Sequence, residues 1–208
     1  LHQKPLKKQS LKTKPTLGTV GDTIVFDLET NGLLNDATRI HCISLYSSET
    51  NQIESFNDEK YADNPKDLPM AGHYSITTAL GWLEVADYII GHNIINFDIP
   101  VIKKLYNWFS PRGLIIDTLL LSRLYHPNLF DIDKGKNWNH MPLQLYVRHS
   151  LEAYGYRLGE YKGAFGKTTD WSEWSQEMQD YCEQDVAVTK KLCDHFHPYL
   201  SGSKWRTR

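Results

Sequence analysis

Thr23-Ile24-Val25-Phe26-Asp27-Leu28-Glu29 is an apolar, β-rich run that ends in two carboxylates. The β-branched and aromatic residues at its start predict a buried strand. Side chains alternate along an extended chain, so Asp27 and Glu29 project to the same side. Two adjacent carboxylates repel each other unless a cation neutralises them. The run therefore predicts a strand that ends either in an acidic turn or at a cation site.

The rest of the chain supplies further strands and then alternates helix with strand. Apolar runs and alternation predict strands over residues 39–47, 52–56, 88–91 and 114–116. Helices are expected over 75–85 (capped by Ser75), 99–108, 118–125 (after Asp117) and about 142–154, and from a cap at Ser172 to about 196. Residues 57–73 and 127–140 are predicted to be surface loops. Three leading strands followed by helix–strand alternation favour an α/β fold, a mixed sheet flanked by helices.

Charge is distributed very unevenly along the 208 residues, although the net charge is only −2. Residues 1–20 carry +5 and residues 201–208 carry +3, which leaves −10 on residues 21–200. We therefore expect a basic flexible tail over 1–20, one folded domain over 21–200 and a basic C-terminal tail over 201–208. An acidic body excludes a general nucleic-acid clamp, so a polyanion would have to be handled at a localised cation site.

Composition also limits the environment of the protein. The three cysteines, Cys42, Cys182 and Cys193, are too few and odd in number for a disulfide framework, which favours a reducing cytoplasm. No apolar run is long enough to cross a bilayer, so no membrane association is expected. The basic N-terminus lacks the apolar segment of a secretory signal.

Two more segments place carboxylates where the predicted fold could bring them to the first pair. Asp98 follows the strand terminus Gly91-His92-Asn93 and begins a helix, so it is either a helix cap or a site residue. Tyr181 and Asp185 are four residues apart and share one face of the last helix. The rest of that face is apolar, so an inward Asp185 needs a cation or a basic side chain as its partner.

Asp27, Glu29, Asp98 and Asp185 form the candidate metal-binding set. Oxygen ligands without cysteine or paired-histidine spacing indicate Mg²⁺ or Mn²⁺ rather than zinc. Two such ions, about 3.5–4 Å apart, stabilise the attacking and leaving oxygens of a displacement at phosphorus. The four carboxylates would balance the charge of that ion pair.

In their order and spacing, Asp27-x-Glu29, His92-Asn93-x4-Asp98 and Tyr181-x3-Asp185 resemble the three exonuclease motifs of the DnaQ-like superfamily, in its tyrosine subtype. That resemblance implies a ribonuclease H-like fold with a mixed five-stranded sheet. The chain also resembles the proofreading exonuclease domains of T7-type phage family A DNA polymerases over about residues 23–195. The segments that carry this closer resemblance are Ile116–Leu124, Ser150–Glu160 and Asp180–Lys190.

The resemblance implies a 3′→5′ exonuclease that releases nucleoside 5′-monophosphates from DNA, working in bacterial or phage-infected cytoplasm. It implies that Asp27 bridges two ions, that Glu29 and Asp185 complete the first and that Asp98 serves the second. Tyr181 would orient the attacking water, which makes five catalytic residues in all. The implied substrate-binding residues are Thr30, Asn31, Leu33, His92 and Asn93.

Several alternatives stay open at this point. Leu33 is either a wedge against the terminal base or a core residue, His92 is either a buried hydrogen-bonded residue or a substrate contact, and Asp117 is expected to cap its helix. Residues 157–167 are a candidate for contacts to the nucleic-acid backbone. RNA trimming and non-catalytic nucleic-acid binding are the competing functions. A DNA polymerase is a possible partner, and the acidic body favours single-stranded or frayed 3′ ends.

Overall fold

The computed structural model describes residues 22–58, 75–138, 140–160 and 170–202, and both predicted basic tails fall almost wholly outside these ranges. The strands are β1 (Thr23–Thr30), β2 (Ile40–Ser47), β3 (Gln52–Phe56), β4 (Tyr88–Gly91) and β5 (Leu114–Asp117). The helices are α1 (Ile76–Val85), α2 (Asp98–Leu105), α3 (Thr118–Tyr125), α4 (Leu129–Asp133), α5 (Leu151–Leu158) and α6 (Gln176–Leu200). Among the described residues, no helix is both long enough and apolar enough to cross a membrane.

The five strands form one mixed sheet in the order β3-β2-β1-β4-β5. β2 runs antiparallel to β1 and β3, whereas β4 and β5 run parallel to β1. Strands β1, β2 and β3, which follow one another directly in the chain, thus occupy one half of the sheet. Strands β4 and β5, which are separated by helices, occupy the other half. The predicted mixed five-stranded sheet of a ribonuclease H-like fold is confirmed.

Alternation along β1 divides the core between the two faces of the sheet. Ile24, Phe26 and Leu28 are buried in the large apolar cluster that includes residues of α1 and α2. Val25 is buried on the other face, together with Ile90 of β4 and Val186 of α6. Because residues two apart share a face, Asp27 and Glu29 lie on the α6 side of the sheet.

Helices α3, α5 and α6 pack together on that second face. Their shared cluster comprises Leu151, Tyr154, Val188, Leu192 and Phe196, with Leu121 and Tyr125 of α3 against it. The apolar residues of α6 recur at helical spacing, which is why one face of this long helix can cover the sheet. Helix α6, which carries Tyr181 and Asp185, therefore covers the acidic residues of β1.

The structure corrects four element predictions. Helix α2 begins one residue earlier than expected, at Asp98, and ends at Leu105. The predicted loop 127–140 contains the short helix α4. The predicted helix 142–154 is instead a 3-10 turn over Leu143–Leu145 followed by α5, whose cap is Ser150. The last helix is capped by Ser175, not Ser172, because the Ser175 hydroxyl accepts the N–H of Met178. The predicted caps Ser75 and Asp117 are confirmed.

Candidate active site

The acidic pair of β1 lies against α6. One carboxylate oxygen from Asp27, one from Glu29 and the Sγ of Cys182 all lie within 4.8 Å of one another. The Cys182 thiol donates a hydrogen bond to the backbone carbonyl of Asp27, with 3.3 Å between sulfur and oxygen. Burial raises the pKa of the Cys182 thiol well above its ordinary value, and the Cys42 thiol and the two carboxylates add to the rise. Cys182 is therefore a neutral donor that joins α6 to β1.

Asp98 joins the same region from the first turn of α2. Its side chain is only 4% exposed and accepts a hydrogen bond from the backbone N–H of Leu28, the residue between Asp27 and Glu29. Burial is the main cause that raises the pKa of Asp98 to about 7. The charges of Asp117 and Asp185 contribute to that rise, and the hydrogen bond from the N–H of Leu28 opposes it. Asp98 is the first residue of α2, and the N-cap position is occupied by Phe97. Asp98 is therefore not the cap of this helix.

Helix α6 contributes Tyr181 and Asp185. Asp185 is buried, with 5% of its surface exposed, and its charge acts on Asp98. Tyr181 is half-buried and its ring meets Trp171 edge to face, with 6.3 Å between ring centroids. The structure therefore links four of the predicted carboxylates through three elements: Asp27 with Glu29 on β1, Asp98 with the backbone of β1, and Asp185 with Asp98.

Asp117 fixes the loop that leads to Asp98. Its Oδ1 accepts the N–H of Asn93 at 2.9 Å and the N–H of Leu119 at 2.9 Å, and its Oδ2 accepts the N–H of Ile95 at 3.1 Å. The expected capping role is confirmed, and the same carboxylate also holds the turn after β4. Asn93 adopts a φ of 68°, a left-handed conformation that asparagine tolerates better than most residues.

Side chains of the predicted substrate-binding residues form hydrogen bonds within the protein. His92 is half-buried and its Nδ1 lies 2.9 Å from the Thr118 hydroxyl. Thr30 is buried and donates to the carbonyl of Gly32. The side chain of Asn31 accepts the N–H groups of Thr38 and Arg39, which closes the loop after β1.

Leu33 lies on that loop and points outward. Its side chain is 74% exposed, so the core-packing alternative for Leu33 is wrong. The loop is held by Lys104 of α2, whose Nζ donates to the carbonyls of Leu34, Asn35 and Ala37 at 3.0, 2.8 and 2.8 Å. Leu33 therefore lies on the surface of a loop that Lys104 holds in place.

The predicted contact of Arg157 with the nucleic-acid backbone is wrong. The side chain of Arg157 is only 4% exposed and pairs with Asp133 at 2.7 Å, where Asp133 is 2% exposed. A buried guanidinium with a buried carboxylate partner is structural. The rest of that basic stretch, residues 161–167, lies outside the described residues.

The donor set fits a hard divalent cation. Carboxylates that face one another in a region where Asp98 is buried have strong mutual repulsion, which a bound cation would offset. Carboxylate oxygens are the ligands that Mg²⁺ and Mn²⁺ prefer. The thiol of Cys182 is protonated and already donates to Asp27, so it is not part of that ligand set.

Sequence comparison gives the family. The RNase H superfamily model matches residues 24–197. The chain belongs to the RNase H superfamily. It is also 34% identical over 193 residues to the DNA-directed DNA polymerase of Escherichia phage T7, a match that covers 82% of this chain and 26% of the polymerase. The chain thus spans about a quarter of the length of that relative. The similarity to phage-type polymerases expected from the motifs is confirmed.

Solved structures share the fold. Brucella melitensis NrnC with bound Mg²⁺ aligns with a TM-score of 0.55 and 18% identity, over 88% of this chain and 75% of that chain. The Aedes aegypti Nibbler EXO domain aligns with a TM-score of 0.55 and 13% identity, over 86% of this chain and 79% of that chain. At these identities the likeness concerns the fold.

Proposed function

We propose that this RNase H superfamily domain is a metal-dependent 3′→5′ exonuclease that hydrolyses the terminal phosphodiester of DNA and releases nucleoside 5′-monophosphates. The observation that carries the proposal is the position of Asp98. Its carboxylate accepts the N–H of Leu28 and feels the charge of Asp185. Both interactions support a cation site that Asp98 would share with the β1 acids and with Asp185.

Asp27, Glu29 and Asp185 would hold one Mg²⁺ or Mn²⁺ ion, and Asp27 and Asp98 would hold a second. Ions bound there would make a coordinated water more acidic and offset charge that develops on the phosphate. The phenol of Tyr181, on the same face of α6 as Asp185, would orient that water toward the terminal phosphate. Because the ions would supply both the more acidic water and the charge compensation at the phosphate, catalysis would depend on the metal.

The loop after β1 and the turn after β4 would bind the 3′-terminal nucleotide. Leu33, exposed on the loop that Lys104 holds, is suited to pack against the last base. Backbone groups of Thr30 and Asn31 would reach the terminal sugar, although the Asn31 N–H already donates to the carbonyl of Arg39. His92 and Asn93 would contact the substrate from the turn that Asp117 fixes.

DNA is the proposed substrate because the chain shares 34% identity with a phage DNA polymerase. A −10 charge on residues 21–200 offers little attraction to a duplex, so single-stranded or frayed ends should be preferred. A DNA polymerase, fused or separate, is the natural partner for such an activity.

The test uses DNA and RNA oligonucleotides labelled at the 3′ or the 5′ end, with Mg²⁺ or with EDTA. We expect labelled mononucleotide from 3′-labelled DNA, a descending ladder from 5′-labelled DNA, and no reaction in EDTA. Asp27→Asn and Asp185→Asn should lower the rate at least a hundredfold. Asp180→Asn is the matched control, since Asp180 is an exposed acid on the same helix.

Other outcomes would overturn the proposal in distinct ways. Mononucleotides released only from RNA would reassign the substrate. Internal cuts would contradict exonuclease action. Binding of oligonucleotides by folded protein without any cleavage would make the domain a binding module.

A further inference from the structure

Two histidines meet at the junction of α3 and α6, outside the carboxylate site. His126 follows the last residue of α3, and His195 lies on the second half of α6. Their Nε2 atoms are 3.4 Å apart, and their rings are 5.1 Å apart at 68°. We refer to them below as the His126–His195 pair.

The His126 ring is held in place by its neighbours. Its Nδ1 lies 3.2 Å from the hydroxyl of Tyr154 on α5. The ring is also 5.1 Å from that of Phe196 and 6.2 Å from that of Tyr199. A hydrogen bond at Nδ1 is the interaction that usually fixes the orientation of a metal-binding histidine, because it directs the Nε2 lone pair.

The spacing of the two nitrogens fits shared coordination better than a direct hydrogen bond. Hydrogen bonds from nitrogen usually have heavy-atom distances of about 2.7–3.2 Å, so a hydrogen bond between the two rings would be a long one, at 3.4 Å. Two nitrogens bound to one tetrahedral Zn²⁺ at about 2.0–2.1 Å lie about 3.3–3.4 Å apart. The observed separation therefore needs little movement to accept an ion.

We propose that the His126–His195 pair binds a divalent transition metal ion of the zinc type, with water completing its coordination. Imidazole ligands select Zn²⁺, Co²⁺ or Ni²⁺ over Mg²⁺, so this site and the carboxylate site differ in the metal that they take. Tyr154 would act as a positioning residue through Nδ1 of His126.

A metal bound there would clamp α3 to α6. Helix α3 carries Thr118, which holds His92, and α6 carries Tyr181 and Asp185. The ion would therefore stabilise the packing of two helices that flank the proposed active site. It would do so without touching the catalytic carboxylates, and the proposal does not depend on nuclease activity.

The test measures Zn²⁺ binding by titration calorimetry on the full chain in excess Mg²⁺, together with thermal unfolding at each Zn²⁺ concentration. We expect one site of micromolar affinity and a rise in the unfolding temperature. His126→Gln and His195→Gln should each weaken that site at least tenfold, and Tyr154→Phe should weaken it several-fold. His197→Gln is the control, because His197 lies on the same helix but lines a cavity of about 590 Å³ between α6 and the sheet.

Two results would overturn the inference. One is Zn²⁺ affinity that is the same in wild type and in His195→Gln. The other is a site that survives His126→Gln and His195→Gln but disappears in Asp27→Asn, which would place the ion among the carboxylates.

Discussion

The thiol of Cys182 donates to the backbone carbonyl of Asp27 across 3.3 Å and so joins the helix that carries Tyr181 to the strand that carries the acidic pair. Cys182 is fully buried beside Cys42 and Met178. The contact fixes the distance between two elements that would both reach the same ion in the proposed site. Small changes in packing at this position should therefore alter metal binding before they alter the fold.

Replacement of Cys182 tests that relationship. Cys182→Ala removes the hydrogen bond and leaves a small cavity, which should cost about 1–2 kcal/mol of unfolding free energy. We expect the Mg²⁺ concentration for half-maximal nuclease activity to rise several-fold. Cys193→Ala is the matched control on the same helix and should leave that concentration unchanged. Equal Mg²⁺ dependence in the two variants would contradict a positioning role for Cys182.

The burial of Asp98 predicts an unusual pH dependence of stability in EDTA. Because its pKa is raised from 3.8 to about 7 in the folded state, folded protein holds a proton that the unfolded chain releases. Its contribution to stability is full below about pH 4 and is lost as the pH rises to about 7. The loss amounts to a few kcal/mol, on the order of 1.4 kcal/mol for each pH unit of the window.

Asp98→Asn isolates this effect. Asparagine keeps the shape and can still accept the N–H of Leu28, but it does not titrate. The difference in unfolding free energy between the variant and the wild type should grow in favour of the variant between pH 4 and pH 7, as measured by urea denaturation in EDTA. A difference that stays constant across that range would show that Asp98 is not buried among other carboxylates.

Lys104 should control the activity through the loop that carries Leu33. Its ammonium satisfies three loop carbonyls, so Lys104→Met leaves them without that donor and loosens the loop. We expect a several-fold loss of exonuclease rate on frayed 3′ ends and little change in Mg²⁺ dependence. Lys103→Met, at the neighbouring exposed position, is the control. If both variants lose the same activity, the loop clamp is irrelevant to the substrate.

The Asp133–Arg157 pair should matter for stability alone. Asp133 also accepts the indole N–H of Trp138 and the N–H of Val147, a β-branched residue held at a φ of 60°. Removing the carboxylate with Asp133→Ala leaves a buried guanidinium without its partner, which should cost about 3–5 kcal/mol. Asp131→Ala, on the same short helix but exposed, should cost under 1 kcal/mol by thermal or urea unfolding. Similar losses in the two variants would contradict this assignment.

The sequence predicted the strands and the site acids because both depend on local pattern. Alternation in β1 places Asp27 and Glu29 on one face whatever surrounds them, and the four-residue spacing of Tyr181 and Asp185 does the same on a helix. The mixed sheet flanked by helices also follows from the succession of elements, whereas the strand order comes from the structure. The roles of the individual acids remain predictions.

Other features depend on tertiary contacts that local pattern does not contain. The burial of Arg157 follows from its pairing with Asp133, twenty-four residues away, and nothing in a basic stretch distinguishes it from a surface cation. The bonds from Lys104 to the Leu33 loop and from Cys182 to Asp27 join segments far apart in the chain. The break of the expected helix 142–154 had a local signal, since Ser150 precedes Leu151 as a capping residue would.

The most direct test of the central claim is anomalous diffraction from crystals soaked in Mn²⁺. We expect two manganese peaks about 3.5–4 Å apart, with carboxylate oxygens of Asp27, Glu29, Asp98 and Asp185 as their protein ligands. Crystals of Asp27→Asn should lose at least one peak. Fully soaked wild-type crystals with no manganese among these four side chains would contradict the account.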